Sequence, residues 1–190
     1  MKLRSILLWG IFLSSAAISQ STRAGDASSI ERKLRHIESN GALAHPDPAP
    51  TQLTESEINA YLASGKVELP AGVRFVRVSG DSGSLSATAR VNFEQIKTGR
   101  QSSNPLLSIF SGEHDVAAEA HARGSGGTGY VDIDSVALDG VEIPRFALQM
   151  FVEKYIQPRH PEIGLRSRFR LPDKIDTAVI GKHVLTIAQK

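Results

Sequence analysis

The sequence contains no cysteine. No disulfide can therefore cross-link the chain, and a lipid anchor on an N-terminal cysteine is excluded, so the fold depends on an ordinary hydrophobic core. The sequence also lacks the G-x-S-x-G motif that places a hydrolase nucleophile on a sharp turn. We therefore expect a protein that is not an enzyme and uses no cofactor.

Long hydrophobic runs are also absent. The longest covers residues 6–18, which is shorter than the ~20 apolar residues that a membrane-spanning helix needs. Two basic residues precede this run, and small residues such as Ser19 and Ala24 end it, which is typical of a secretory signal peptide. We predict that residues 1–24 direct export to the periplasm or the extracellular space. An uncleaved membrane anchor is the alternative interpretation.

The rest of the chain has almost no excess of one charge over the other. Removing residues 1–24 takes away three of the 22 basic residues and none of the 20 acidic ones, so the formal charge changes from +2 to −1. Nucleic-acid binding depends mainly on neutralising phosphates with basic residues. The composition therefore argues against a nucleic-acid partner.

The mature chain divides into a tether and one domain. A helix over Ser28–Ser39 is marginal in isolation, and Pro46, Pro48 and Pro50 favour an extended linker after it. We predict a tether over residues 25–52 and a single domain over residues 53–190.

The domain begins with a short amphipathic helix. In LTESEINAYL, Thr54 can cap the helix and Glu57, three residues later, can complete a capping box. Ile58, Tyr61 and Leu62 form its apolar stripe.

Two later segments alternate strictly between apolar and polar residues. They are SLSATARVNFE, from residue 84, and HDVAAEAHAR, from residue 114, and this period predicts half-buried antiparallel strands. GVRFVRV, just before the first, predicts a third strand.

The stretch RGSGGTGYVDID contains the G-x-G-x-x-G spacing of dinucleotide-binding loops at Gly124, Gly126 and Gly129. That motif requires a helix after the glycines, whereas YVDIDSVAL has the pattern of a strand. We therefore predict a hairpin loop. Within YVDIDSVAL the apolar residues switch from odd-numbered to even-numbered positions. This switch predicts a bulge near Ser135.

The segment PRFALQMFVEKYI, from Pro144, predicts a helix that is apolar most of the way round. Together these elements predict an α+β fold: a curved antiparallel sheet of six or seven strands wrapped around one long apolar helix, with a short N-terminal helix. The alanine-rich strand faces either let the helix approach closely or leave a groove beside it.

The order of these elements resembles that of uncharacterised secreted bacterial proteins similar to single-module periplasmic lipid-binding proteins of the tubular (TULIP-like) kind. The resemblance covers residues 53–190 and is carried by LTESEINAYL, ELPAGVRFVRV, SLSATARVNF, NPLLSIFSG and GTGYVDIDSVALDGVEIP. It implies a helix held by a curved sheet, with a slot for acyl chains.

The apolar helix and an unusually apolar loop, residues 97–112, provide the candidate ligand-binding residues. The loop either plugs the core or forms a lip that contacts a membrane transiently. The candidates are Leu106, Leu107, Phe110, Leu148, Met150, Phe151, Val152 and Tyr155.

Three alternating arginines, Arg166, Arg168 and Arg170, lie on one face of a predicted strand. Such a row is either a solvated edge or a site for anionic headgroups.

No metal site is predicted, because His114 and His121 lie on opposite faces of one strand. Asp132 and Asp134 share a face, but paired carboxylates on an exposed strand usually serve solubility. The sequence therefore favours an exported protein that binds a hydrophobic or lipid ligand. The alternative is an envelope protein-interaction or structural module with a dry core.

Overall fold

The computed structural model describes residues 14–99 and 102–190. The first 13 residues of the predicted signal peptide lie outside the described residues, as do Arg100 and Gln101 of the predicted apolar loop. Within the described part of the chain, no helix is both long enough and apolar enough to cross a membrane.

The described residues form four α-helices, one 3-10 helix, one π-helical turn and nine strands. In chain order they are α1 (Ser14–Gly41), β1 (Thr51–Thr54), α2 (Glu55–Ala63), β2 (Val73–Asp81), β3 (Ser84–Asn92), α3 (Phe93–Lys97), the 3-10 helix (Pro105–Leu107), β4 (Glu113–Ser125), β5 (Thr128–Leu138), β6 (Val141–Glu142), α4 (Arg145–Phe151), the π turn (Val152–Ile156), β7 (Arg166–Arg170), β8 (Ile175–Gly181) and β9 (Val184–Gln189).

All nine strands belong to one antiparallel sheet. Its order is β1-β9-β8-β4-β3-β2, and β5 pairs with β4 on one side and with β6 and β7 on the other. The predicted α+β class with an antiparallel sheet is confirmed. The predicted number of six or seven strands is too low, because β1 has four residues and β6 has two. Segments this short contain too few residues to show an alternating pattern.

The bulge lies one residue from its predicted position. Glu119 pairs with Ser135, whereas Ala120 pairs with Ile133, so Asp134 is the extra residue of β5. This extra residue brings the side chains before and after it back onto the correct faces of the sheet.

The glycine-rich segment is the β4–β5 hairpin, as predicted. Gly126 and Gly127 form its turn with φ angles of +57° and +72°. Gly124 is required for a different reason, because a Cβ there would lie 2.8 Å from the backbone nitrogen of Ala178 in β8. Likewise, a Cβ on Gly129 would lie 2.6 Å from the ring of Phe169. The glycines therefore serve a turn and two close contacts between strands.

Replacing Gly126 or Gly127 by alanine is expected to lower the free energy of unfolding by about 1 kcal/mol each, because a side chain strains the left-handed backbone. Urea unfolding of the two single variants measures this cost. Unchanged stability in both would contradict the turn geometry.

The predicted capping box is present at the start of α2. The Thr54 hydroxyl accepts a hydrogen bond from the backbone N–H of Glu57 at 3.3 Å, and the Glu57 carboxylate accepts one from the Thr54 N–H at 2.8 Å. Lys33 of α1 also donates to this carboxylate at 2.7 Å. Glu57 therefore joins two helices.

The prediction of a tether over residues 25–52 does not match this packing. Ile30 and Ile37 of α1 are buried in a cluster with Leu53, Ile175 and Ile187. The apolar stripe of α1 is marginal alone but gains a partner surface from β1, β8 and β9, which only tertiary contacts provide. We therefore include the described side chains of α1 in the folded domain.

One long apolar helix is not confirmed either. The segment predicted to form it is the seven-residue α4 followed by the five-residue π turn. Pro144 and Pro158 limit its length, since proline disfavours a helical conformation in the residue before it. Phe146 is 57% exposed, so the segment is not covered on all sides.

Candidate functional site

The predicted ligand-binding residues come from the loop and from the α4 segment. Leu107, Phe110, Phe151 and Tyr155 meet in one buried cluster, to which α3 adds Phe93. We call these five residues the helix–loop cluster.

The other four candidates have different positions. Leu148 and Met150 are half-buried and pack against the core that contains the helix–loop cluster. Val152 is buried, whereas Leu106 is 46% exposed. The loop therefore plugs the core through two residues and also presents apolar surface to solvent.

Aromatic rings fill the helix–loop cluster. Phe110 stacks on Phe151 with a centroid distance of 4.3 Å, and Phe93 meets both rings edge-on at 5.5 and 5.4 Å. Tyr155 lies 5.1 Å from Phe151. These distances are those of a closely packed aromatic core. Phe93 was not predicted as a site residue, although the alternation in SLSATARVNFE places its side chain on the apolar face.

Tyr155 has a polar group that this core does not satisfy. The residue is 3% exposed, and its hydroxyl has no hydrogen-bond partner among the described residues. An unpaired buried hydroxyl costs about 1–3 kcal/mol. Tyr155 also lies in the π turn, a type of irregularity that occurs frequently at functional sites.

A shallow groove of about 310 Å³ opens beside the cluster. Met150 and Leu107 supply its apolar wall, and Asn104, Glu153 and Lys154 supply the polar groups. The groove lies where the 3-10 helix meets the α4 segment. Of the five residues of the helix–loop cluster, Leu107 is the one that lines this groove.

The three arginines of β7 have different surroundings. Arg166 forms an ion pair with Asp132 at 3.1 Å, whereas the guanidinium of Arg168 lies 5.8 Å from the ring centroid of Tyr130. Arg170 lines a different groove, near Lys174.

Arg166 and Arg168 line a groove of about 530 Å³ on the polar face of the sheet, which we call the trough. Strand register places two rows of side chains along it. One row is His121, Asp132 and Arg166, and the other is Arg123, Tyr130 and Arg168. Ala122, Val131 and Ser167 lie between the rows and also line the trough. Sequence analysis did not single out Arg123 or Tyr130, which face each other only after the hairpin has formed.

Ser84 on β3, His121 on β4 and Asp134 on β5 lie side by side at one end of the trough. Nδ1 of His121 lies 2.6 Å from the Asp134 carboxylate, and Nε2 lies 3.4 Å from the Ser84 hydroxyl. The carboxylate only accepts hydrogen bonds, so Nδ1 of His121 is the donor to Asp134. The preceding amide, Gly83 N–H, already donates to the Ile180 carbonyl. It is therefore not available to an oxyanion.

His114 lies on the opposite face of β4 from His121, beside Phe93. Its Nδ1 is 2.6 Å from the Asp139 carboxylate. The Asp139 hydrogen bond, followed by that to the Ser111 carbonyl, raises the pKa of His114 above its usual value. Within the described part of the chain, no three His, Asp or Glu side chains are grouped to hold a metal ion.

Comparisons of the chain with protein-family models, with curated proteins and with solved structures found no match.

Proposed function

We propose that the chain is an exported, non-enzymatic protein that binds a hydrophobic or lipid ligand at the helix–loop cluster. In this proposal the sheet curves around the α4 segment, and the ligand enters through the groove at Met150. The Tyr155 hydroxyl is its polar contact. The observation that carries the proposal is this buried hydroxyl without a partner, because an oxygen of a bound molecule would satisfy it.

We propose a non-enzymatic function because the serine–histidine–aspartate array resembles a catalytic triad but is incomplete. Ser84 has a hydrogen-bonding base, but the amide next to it already has an acceptor. The Gly83 amide is therefore not an oxyanion donor for Ser84, which argues against acyl transfer at this array.

A protein-interaction or structural module with a dry core is the second candidate. It is favoured by the aromatic packing, since Phe110 is 1% exposed and stacks on Phe151 at 4.3 Å. In that case the Tyr155 hydroxyl is either unsatisfied or bonded to a buried water.

Organic extraction of the purified mature protein followed by mass spectrometry tests the proposal. We expect a lipid to co-purify with the wild-type protein. Tyr155→Phe, which removes only the hydroxyl, should reduce its recovery several-fold. Tyr61→Phe is the matched control, because Tyr61 packs on the other core cluster, around α1 and α2.

Two results would decide for the dry module. One is the absence of lipid from the wild-type protein. The other is a Tyr155→Phe variant that unfolds at a higher temperature without changing what is extracted, as expected when an unsatisfied hydroxyl is removed.

Export makes a separate prediction about the N-terminus. N-terminal sequencing of the mature protein should begin at Gln20 or Gly25, because a charged start and a short apolar run direct cleavage after Ser19 or Ala24. A membrane-free mature protein that still begins at Met1 would contradict it.

A further inference from the structure

The trough is separate from the helix–loop cluster because it lies on the other face of the sheet. In β4, Val116 packs against the core that contains the helix–loop cluster, whereas His121 and Arg123 have the opposite parity along the strand and line the trough. A ligand in the trough would therefore contact none of the residues of the proposed lipid site.

The acidic groups in and around the trough already have partners. Asp132 accepts from Arg166 at 3.1 Å and from Arg145 at 3.5 Å. The Asp134 carboxylate bonds to His121 at 2.6 Å. These two carboxylates therefore already bond to His121, Arg145 and Arg166.

The second row has positive charge that no acid balances. Across the described residues, neither Arg123 nor Arg168 has a carboxylate within ion-pair distance. Both side chains are exposed, one on β4 and one on β7, and both line the trough. An anion in the trough would meet two guanidinium groups that lose no existing ion pair on binding.

Tyr130 holds these two guanidinium groups near each other. Its ring lies between them in the strand order, with centroid distances of 5.0 Å to Arg123 and 5.8 Å to Arg168. Such cation–π contacts restrict long side chains that otherwise lose rotamer freedom on binding. The ring therefore reduces the entropic cost of gathering two arginines around one ligand.

We propose that the trough is a binding site for a phosphate group, held by Arg123 and Arg168 on either side of Tyr130. One guanidinium can satisfy both oxygens of a carboxylate in a bidentate pair, whereas a phosphate has additional oxygens for a second guanidinium. Two arginines from different strands therefore match phosphate better. The same chemistry occurs in a soluble phosphate and in the headgroup of a lipid.

The test uses the mature protein and the double variant Arg123→Gln/Arg168→Gln. Titration calorimetry with inorganic phosphate covers the soluble source. Sedimentation with phosphatidylcholine vesicles, with and without phosphatidic acid, covers the lipid source. We expect binding in at least one arm, and at least tenfold weaker binding by the double variant. Arg32→Gln/Arg77→Gln removes the same charge at two exposed positions outside the trough and should bind within about twofold of wild type.

Binding of inorganic phosphate assigns a soluble source, and binding only to phosphatidic acid vesicles assigns a lipid headgroup. Thermal unfolding confirms that both double variants fold. The proposal is overturned if neither probe binds, if the Arg123→Gln/Arg168→Gln variant binds as well as wild type, or if the control variant loses as much affinity. None of these results depends on lipid in the helix–loop cluster, which extraction measures independently.

Discussion

Replacing Phe151 by alanine is expected to lower the free energy of unfolding by about 3–5 kcal/mol. The residue is 4% exposed, and its ring contacts those of Phe93, Phe110 and Tyr155 at centroid distances of 5.4, 4.3 and 5.1 Å. Alanine would remove these contacts and leave a cavity in the aromatic core. Urea unfolding monitored by far-UV circular dichroism measures the loss.

Met150→Ala is the matched comparison, since Met150 is adjacent in sequence but half-buried beside the shallow groove. We expect a smaller loss, about 1–2 kcal/mol, together with a change in the lipid chain lengths that co-purify. A full core-sized loss at both positions, with no lipid extracted from any variant, would mean that the α4 segment is ordinary core. The lipid-binding proposal would then be abandoned.

Glu57 is expected to make the protein sensitive to acid. Burial alone raises the pKa of this carboxyl, but hydrogen bonds from Lys33 and Thr54 outweigh burial and lower the pKa to about 2 from an ordinary value of 4.5. Because the pKa is lower in the folded state, Glu57 contributes its full stabilisation above pH 4.5. That contribution is lost progressively as the pH falls towards 2.

Urea unfolding at several pH values tests this coupling. Glu57→Gln should lower stability by about 2–3 kcal/mol at pH 7, and the difference from wild type should shrink between pH 4.5 and pH 2. Glu142→Gln, on the exposed strand β6, should follow the wild-type curve. A constant difference between wild type and Glu57→Gln across this range would show that the Glu57 charge does not stabilise the fold.

Sequence patterns predicted the features that depend on neighbouring residues. Alternation located β3 and β4, and the Thr54–Glu57 spacing predicted the capping box. The shift of apolar phase predicted the bulge near Ser135, one residue from its observed position at Asp134. The glycine-rich loop was identified as a hairpin because a strand follows it. Each of these features depends on residues a few positions apart, so the signal lies within one short segment.

The candidate site was predicted less completely. Its loop and helix residues were named, but the sequence did not show which are buried, and it missed Phe93, Arg123 and Tyr130. In particular, nothing in the sequence indicates that the Tyr155 hydroxyl has no partner.

By itself, the sequence determined the class of this protein: a chain without disulfides, whose alternating segments form an antiparallel sheet. The tertiary structure decided which surfaces meet. It docked α1 through Ile30 and Ile37, and it separated Arg168, beside Tyr130, from Arg166, which pairs with Asp132. The physical reason is that periodicity places a side chain on a face, whereas its partner comes from a strand or helix that is distant in sequence, and the register of that pairing is set by the whole sheet.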